Sequence, residues 1–398
     1  MKHQWRFRGN ELKYIEEVLV SGETSSTGGN LSNRFENLFA ETVGAKYAVT
    51  FNSGTSTLHA ALDALGVGYK DEVIIPPITV ISNFDVVIAM NAVPVFADVD
   101  KETFNIDPED IRKKITPRTK AIMPVSLYGL SCDIDEINAI AQENGIGVIN
   151  DAAEAHGSTY KDKQIGSLTD ITSYSLENTK HITTGDGGIV VTNSEEYATK
   201  MRKFGSLGYA SMKAGEGRIK LDKSVFQDPS YKRHDAFALN YRLAEVAAAV
   251  GLAQTERYEE FIGLRESIGE CFYDVCQGSK ILVPQKKIDG SRNTYWTFGA
   301  RLLPKDIAWQ DFRKKFIDFG GESIFGAWAL TYNEPIVSEG AYKKFNPELY
   351  GSIKYEEGIC PNAELIQPYL MQFPTNYQTL EEGQAQADAL SKTLNYYA

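Results

Sequence analysis

The chain predicts an α/β protein: a mostly parallel central sheet with helices on both faces, followed by a smaller C-terminal α/β domain. Three observations predict it. The 398 residues exceed what one small core uses, so two domains are expected. Through the first two thirds, short β-branched runs alternate with helical patterns at the spacing of βαβ units. Near Arg242 the texture changes to "LAEVAAAVGLAQTERYEEFIGLRESIGECFYDVC", with apolar residues at helical spacing long enough to run from one domain into the next. The boundary is therefore expected near residue 255, with a large domain over 1–255 and a small one over 256–398.

The elements follow in order. In "FNSGTSTLHAALDALG", Gly54, Thr55 and Ser56 open a helix whose apolar face is Leu58, Ala61, Leu62 and Leu65. "DEVIIPP" ends one strand, "AVPVFADVD" holds a second, "TKAIMPVSLYG" a third and "GIGVINDAAEAHG" a fourth. In "DIDEINAIAQENG", Ile134, Ile137 and Ile140 stand three apart before a stop at Gly145, which reads as an amphipathic helix. "DITSYS" alternates into a further strand, and "GGIVVTN" starts another directly after Gly187 and Gly188. "LEEGQAQADALSKTLNYY" predicts a last amphipathic helix. The polar stretch 204–237, with Lys213, Arg218, Lys220, Lys223, Lys232, Arg233 and His234, reads either as a solvated loop or as a substrate lid.

Composition narrows the partners. Apolar residues make up 42% and charged residues 24%, ordinary for a globular chain. The formal net charge of -12 argues against nucleic acid and anionic membrane as partners, though a local basic pocket for one anion stays open. "MKHQWRFRGN" leads into no apolar targeting segment and no run of about 18 apolar residues occurs, so the expected location is the cytoplasm. Cys132, Cys271, Cys276 and Cys360 are scattered and read as reduced thiols. His3, His59, His156, His181 and His234 show no metal spacing. Neither G-x-G-x-x-G nor G-x-x-x-x-G-K-[ST] occurs, no serine elbow is present, and Gln164 stands where a Tyr160-x-x-x-Lys dyad would need lysine.

Three positions could carry chemistry, all where parallel strands end and ligands bind. The helix start at Gly54 and Thr55 offers free N–H groups to an anion such as phosphate, or is a plain N-cap. Asp151 ends a very apolar strand, where a carboxylate is costly unless a cation or hydrogen bonds meet it. It is either a cap for the next turn or a partner for a protonated ligand nitrogen. Lys180 lies in the connection between two strands, either as a surface lysine or as an amine able to form a Schiff base with a carbonyl cofactor.

The order of these features, with "TGGNLSNRFENLFAETVGAKYAV", "SGTSTLHAAL", "DEVIIPPIT", "VPVFADVD", "NDAAEAHGSTYKDKQIGSLTDITSYS", "TKHITTGDGGIVVTN", "LNYRLAEVAAAVGLAQ" and "CPNAE", resembles the DegT/DnrJ-type sugar aminotransferases, fold-type I pyridoxal-phosphate enzymes. The resemblance covers almost the whole chain. It implies pyridoxal 5′-phosphate as cofactor, with Lys180 at the Schiff-base lysine and Asp151 at the partner of the pyridine nitrogen. It places Glu154 near the phenolic oxygen, and Gly54, Thr55 and Ser175 at the phosphate. It implies a homodimer with shared active sites, to which the partner subunit lends Asn240, with Arg242 beside it. Val80 stands in "PPITV" where the family carries an aromatic residue over the ring; a branched aliphatic covers a ring face by dispersion only. The implied reaction moves an amino group from an amino acid, L-glutamate by resemblance, to a keto sugar that is typically nucleotide-linked, in amino-sugar and surface-polysaccharide biosynthesis. A dehydratase branch of the family carries histidine at the Schiff-base position. Here that position is Lys180 and His181 falls one residue late, which favours transamination over 3-dehydration or a non-catalytic regulatory role. His181 then orients a neighbour, contacts substrate or is a plain loop histidine.

Overall fold

The run Val73–Ile75 has no polar face, and a strand of that kind is stable only when covered on both sides. The computed structural model, which describes residues 4–304 and 306–398, buries all three side chains fully. They belong to a seven-stranded sheet of β1 (Tyr47–Phe51), β2 (Glu72–Ile75), β3 (Val93–Phe96), β4 (Thr119–Ile122), β5 (Gly147–Asp151), β8 (Ile171–Ser175) and β9 (Gly188–Thr192). A two-residue hairpin, β6 (Thr159–Tyr160) with β7 (Lys163–Gln164), hangs beside it. The strand order is β1-β9-β8-β5-β4-β2-β3. The run β3-β2-β4-β5-β8 is parallel, whereas β9 is antiparallel to both β8 and β1.

The connecting helices form where their sequence signals stand. The segment Ile134–Asn144 is capped by the Asp133 carboxylate, which accepts from the Glu136 N–H, and ends at Gly145 in a left-handed conformation (φ 66°). Its Ile134, Ile137 and Ile140 are buried; the latter two pack on Ile122 and Val148 under the sheet. Helices α1 (Glu11–Ser21) and α2 (Leu31–Thr42) pack against the helix Glu245–Glu256. Glu245, buried at the start of that helix, accepts from the N–H groups of Leu31 (2.6 Å) and Ser32 (3.1 Å), where orphan amides and the helix dipole favour a carboxylate.

The long helix expected after Arg242 is two helices, Glu245–Glu256 and Tyr258–Cys276. Arg257 leaves helical geometry (φ -112°, ψ 21°), and its Nη1 donates to the Arg6 carbonyl at 3.1 Å. No glycine or proline marks the break; a tertiary hydrogen bond accompanies it. Beyond it, β10 (Leu282–Pro284), β11 (Thr297–Leu302), β13 (Leu370–Pro374) and β12 (Phe325–Gly326) form an antiparallel sheet in that order. Phe272, Phe298, Phe316, Phe373 and Leu390 fill its core. The segment from Leu330 to Ile366 returns to pack on Phe84 and Phe96 of the larger body.

One buried ion pair ties α2 to β1 and to the helix Glu195–Phe204. Arg202 Nη1 and Nη2 donate to the two carboxylate oxygens of Glu36 at 3.0 and 2.9 Å, and Glu36 also accepts from the N–H and hydroxyl of Thr50. Removing one charge strands the other in the interior. Glu36→Gln is expected to cost about 3 kcal/mol, read as a lowered urea midpoint at unchanged slope.

Candidate active site

Asp151 is the last residue of β5, lies opposite Ser173 of β8, and is almost fully buried. Its Oδ2 accepts from Asn83 Nδ2 at 3.1 Å and its Oδ1 from the Ala153 N–H at 3.0 Å. Asn83 is held in turn by the Thr79 hydroxyl, which donates to its Oδ1 at 2.7 Å. Among the described residues no ion pair reaches the carboxylate. Burial pushes the carboxyl above its ordinary range, against the lowering effect of the Ala153 and Asn83 hydrogen bonds and of the Lys180 charge. Such a carboxylate, without an ion pair among the described residues, is suited to a cation brought by a ligand.

Lys180 lies in the loop between β8 and β9, with its side chain one-tenth exposed. Nζ is 3.7 Å from Glu154 Oε1 and 4.1 Å from the centroid of the Trp296 ring. Glu154 follows Asp151 by three residues, and its Oε2 accepts from the Tyr128 N–H at 3.0 Å. Burial raises its carboxyl too, opposed chiefly by the Lys180 charge. Two buried arginines fix the loop. Arg6 donates to the carbonyls of Asn178 (2.5 Å), Lys180 (2.6 Å) and His181 (3.1 Å). Arg265 donates to those of Thr179 (2.8 Å) and Lys180 (3.1 Å), and to Trp296 (2.8 Å). Desolvation lowers Arg6 to about 10 and Arg265 well below its usual value.

The third component is the N-terminus of the helix Gly54–Ala64. Ser53 and Ser56 form a reciprocal capping box, in which Ser53 Oγ accepts from the Ser56 N–H at 3.1 Å and Ser56 Oγ from the Ser53 N–H at 3.1 Å. The first-turn amides of Gly54 and Thr55 have no intrahelical acceptor. Ser175 ends β8 against this turn, and a Cβ on Gly54 would come within 3.1 Å of the Ser175 Cβ. A Cβ on Gly188, the first residue of β9, would lie 2.3 Å from the Ser53 carbonyl oxygen, so glycine is needed there. Strand tip, helix tip and lysine loop thus share one end of the sheet.

The other expected residues lie as follows. Thr55 is exposed at the helix tip, and Val80 is half-buried in the turn whose carbonyl accepts from the Asn83 N–H. His181 is 1% exposed; its Nε2 donates to the Thr294 carbonyl at 2.9 Å, so the ring braces the loop and offers no surface to a substrate. Burial holds it well below its usual value and therefore uncharged. Asn240 is exposed, bridged to Ser206, and Tyr241 accepts from the Asn52 N–H. Arg242 is half-buried beside Glu36 and Arg202, and its Nη1 has no hydrogen-bond partner. Among the described residues no hydrogen bond or ion pair joins Asn240 or Arg242 to Lys180 of the same chain. In the 204–237 stretch, which holds a short helix Lys223–Gln227, Arg218 and Lys220 pair with Glu216, and Arg233 donates to backbone carbonyls. His3 lies outside the described residues. Asn83, Tyr128, Trp296, Arg6 and Arg265 carry no local sequence signal, because each lies 26 or more positions along the chain from the group it supports.

A buried lysine, a strand-tip carboxylate awaiting a cation and a capped helix tip for an anion suit a fold-type I pyridoxal-phosphate enzyme. The DegT/DnrJ/EryC1/StrS aminotransferase family matches residues 6–387. A GDP-perosamine synthase of Caulobacter vibrioides is 39% identical over 75% of this chain and 76% of its own length. An aminotransferase from Psychrobacter cryohalolentis superimposes with a TM-score of 0.83 at 29% identity, covering 97% of this chain and 96% of its own. A GDP-4-keto-6-deoxymannose-3-dehydratase with bound GDP-perosamine also superimposes, with a TM-score of 0.78 at 25% identity over 96% of this chain and 97% of its own. The chain belongs to the DegT/DnrJ/EryC1/StrS aminotransferase family, whose members use pyridoxal or pyridoxamine phosphate. It is a pyridoxal-phosphate-dependent aminotransferase.

A consequence for stability follows from Asp151. Its carboxyl is raised in the folded, cofactor-free chain, so that state holds the proton more tightly than the unfolded one. Stability is then full below the ordinary carboxylate range and declines as pH rises through the raised value. Cofactor-free Asp151→Asn is expected to melt higher than wild type at pH 7.5, with the gap closing toward pH 4. Its transfer activity should fall about a hundredfold or more. Thermal melts at the two pH values, with a transfer assay, check both.

Proposed function

We propose that the chain moves an amino group from an amino acid, L-glutamate first among candidates, to a nucleotide-linked keto sugar. The observation that carries this is the Lys180 amine, buried beside Glu154 at the sheet end that also holds Asp151. The names of the relatives, GDP-perosamine synthases at 35–39% identity, support a GDP-linked keto sugar as the acceptor to try first.

Pyridoxal 5′-phosphate, when bound, supplies an aldehyde that carries the nitrogen and a ring that withdraws electrons from the reacting carbon. The chain's own residues do the rest. Asp151 would hold a proton at the ring nitrogen, with Asn83 and the Ala153 N–H fixing its carboxylate. The amides of Gly54 and Thr55, with the Ser175 hydroxyl, bind the phosphate at the helix tip. Glu154 and Val80 would complete the cofactor's surroundings, the one as a carboxylate beside Lys180 and the other as an apolar contact. Lys180 would hold the cofactor through its aldehyde, and its amine, when free, would serve as the general acid–base at the substrate carbon.

Asn240 and Arg242 suit a site shared across a homodimer: the asparagine is exposed, and one buried guanidinium nitrogen has no partner. A cytoplasmic location is consistent with the described residues, where no helix is long and apolar enough to cross a membrane. The helix break at Arg257 is our choice for the division between the two domains.

Borohydride reduction of the loaded protein, followed by peptide mapping, should place the cofactor covalently on Lys180. Lys180→Ala should lose transfer by a factor of about a hundred to ten thousand while still binding pyridoxamine phosphate. Undiminished transfer would refute the role. Water loss from the sugar without nitrogen transfer would favour the dehydratase reading instead.

A further inference from the structure

The Trp296 ring is held on the same supports as the lysine it faces. Its Nε1–H donates to the Thr179 carbonyl at 3.0 Å, and its own carbonyl accepts from Arg265 at 2.8 Å and from the Thr375 hydroxyl at 3.1 Å. Arg265 also donates to the carbonyls of Thr179 and Lys180, so one guanidinium spans the lysine loop and the tryptophan. The chain reaches this point through Tyr295, whose left-handed conformation (φ 44°) is pinned by the bond from its N–H to Asn293 Oδ1. The Lys180 ammonium thus has an aromatic face at 4.1 Å and the Glu154 carboxylate at 3.7 Å. An ammonium is drawn to the negative face of an indole, and more strongly where water is thinned, as around this side chain.

Transamination leaves this amine unbonded from the donor half-reaction until the end of the acceptor half-reaction, so through that interval a long, rotatable side chain is free to leave the reacting carbon. Resting on the aminotransferase reading, we propose that Trp296 is a positioning residue whose ring face seats the Lys180 amine whenever it is not bonded to the cofactor. The seat acts through the lysine and touches no reacting bond. Its effect falls on the proton-transfer rate and leaves donor binding alone.

Two substitutions separate the ring from the hydrogen bond. Trp296→Gln keeps an N–H donor for the Thr179 carbonyl and deletes the ring; Trp296→Phe does the reverse. In protein loaded with pyridoxamine phosphate, acetylation of Lys180 is followed by peptide mass spectrometry, with exposed Lys223 as internal reference. Trp296→Gln should raise Lys180 reactivity about five- to tenfold, and Trp296→Phe should stay within about twofold of wild type. In the donor half-reaction, Trp296→Gln should lose rate by a similar factor at unchanged KM. Wild-type reactivity in folded Trp296→Gln would overturn the proposal. So would the reverse pattern, with Phe reactive and Gln silent, which assigns the effect to the hydrogen bond. Wild-type protein that moves no amino group would sink the functional reading instead; the labelling comparison needs no turnover and still decides the role of the ring.

Discussion

A carboxylate buried at the tip of a parallel strand, with hydrogen bonds but no ion pair among the described residues, is the constraint around which this molecule is arranged. Asp151 sits at the end of a strand buried on both faces, and ionising it there costs free energy. Asn83 and the Ala153 amide offset part of that cost and fix the oxygens in place. The remainder is a standing preference for a positive group, which under the proposed function a protonated pyridine ring would satisfy. The site therefore gives up stability for affinity, a common arrangement where function and folding compete for the same residue.

The lysine loop shows the complementary device. Its carbonyls would otherwise point into the interior without donors, and two buried guanidiniums, from the N-terminal segment and from the helix Tyr258–Cys276, satisfy them. Arg6 comes from more than 170 positions away, and Arg265 from 85. The amine is consequently held by parts of both halves of the chain. The His181 ring adds a third brace through Thr294, uncharged because burial keeps it so.

Much of this was legible in sequence, because the signals were local. Alternation and glycine stops marked β5, β8, β9 and the helix Ile134–Asn144; small residues after β1 marked the helix tip. The elements around Lys180 and Asp151 made them candidates, and the family resemblance chose between their alternatives. The break at Arg257 could not be read locally, since no residue there is a helix breaker and the hydrogen bond that accompanies it runs from the Arg257 side chain to the distant Arg6 carbonyl. His181 looked like a candidate substrate contact because it adjoins the lysine, whereas packing turns its ring inward.

By itself the sequence determined the α/β class and the succession of strands and helices in the larger body, which follow from periodicity and turn chemistry read over a few residues. Lys180, Asp151 and the helix tip at Gly54 each kept a structural alternative, and only the family resemblance gave them roles. Only the tertiary structure decided that Asn83 supports Asp151, that Arg6 and Arg265 share the lysine loop, and that Trp296 lies under its amine. The physical reason is that hydrogen-bond satisfaction in an interior is a condition on the whole chain: a buried carbonyl accepts from whichever donor the fold brings within 3 Å, and nothing local names that donor.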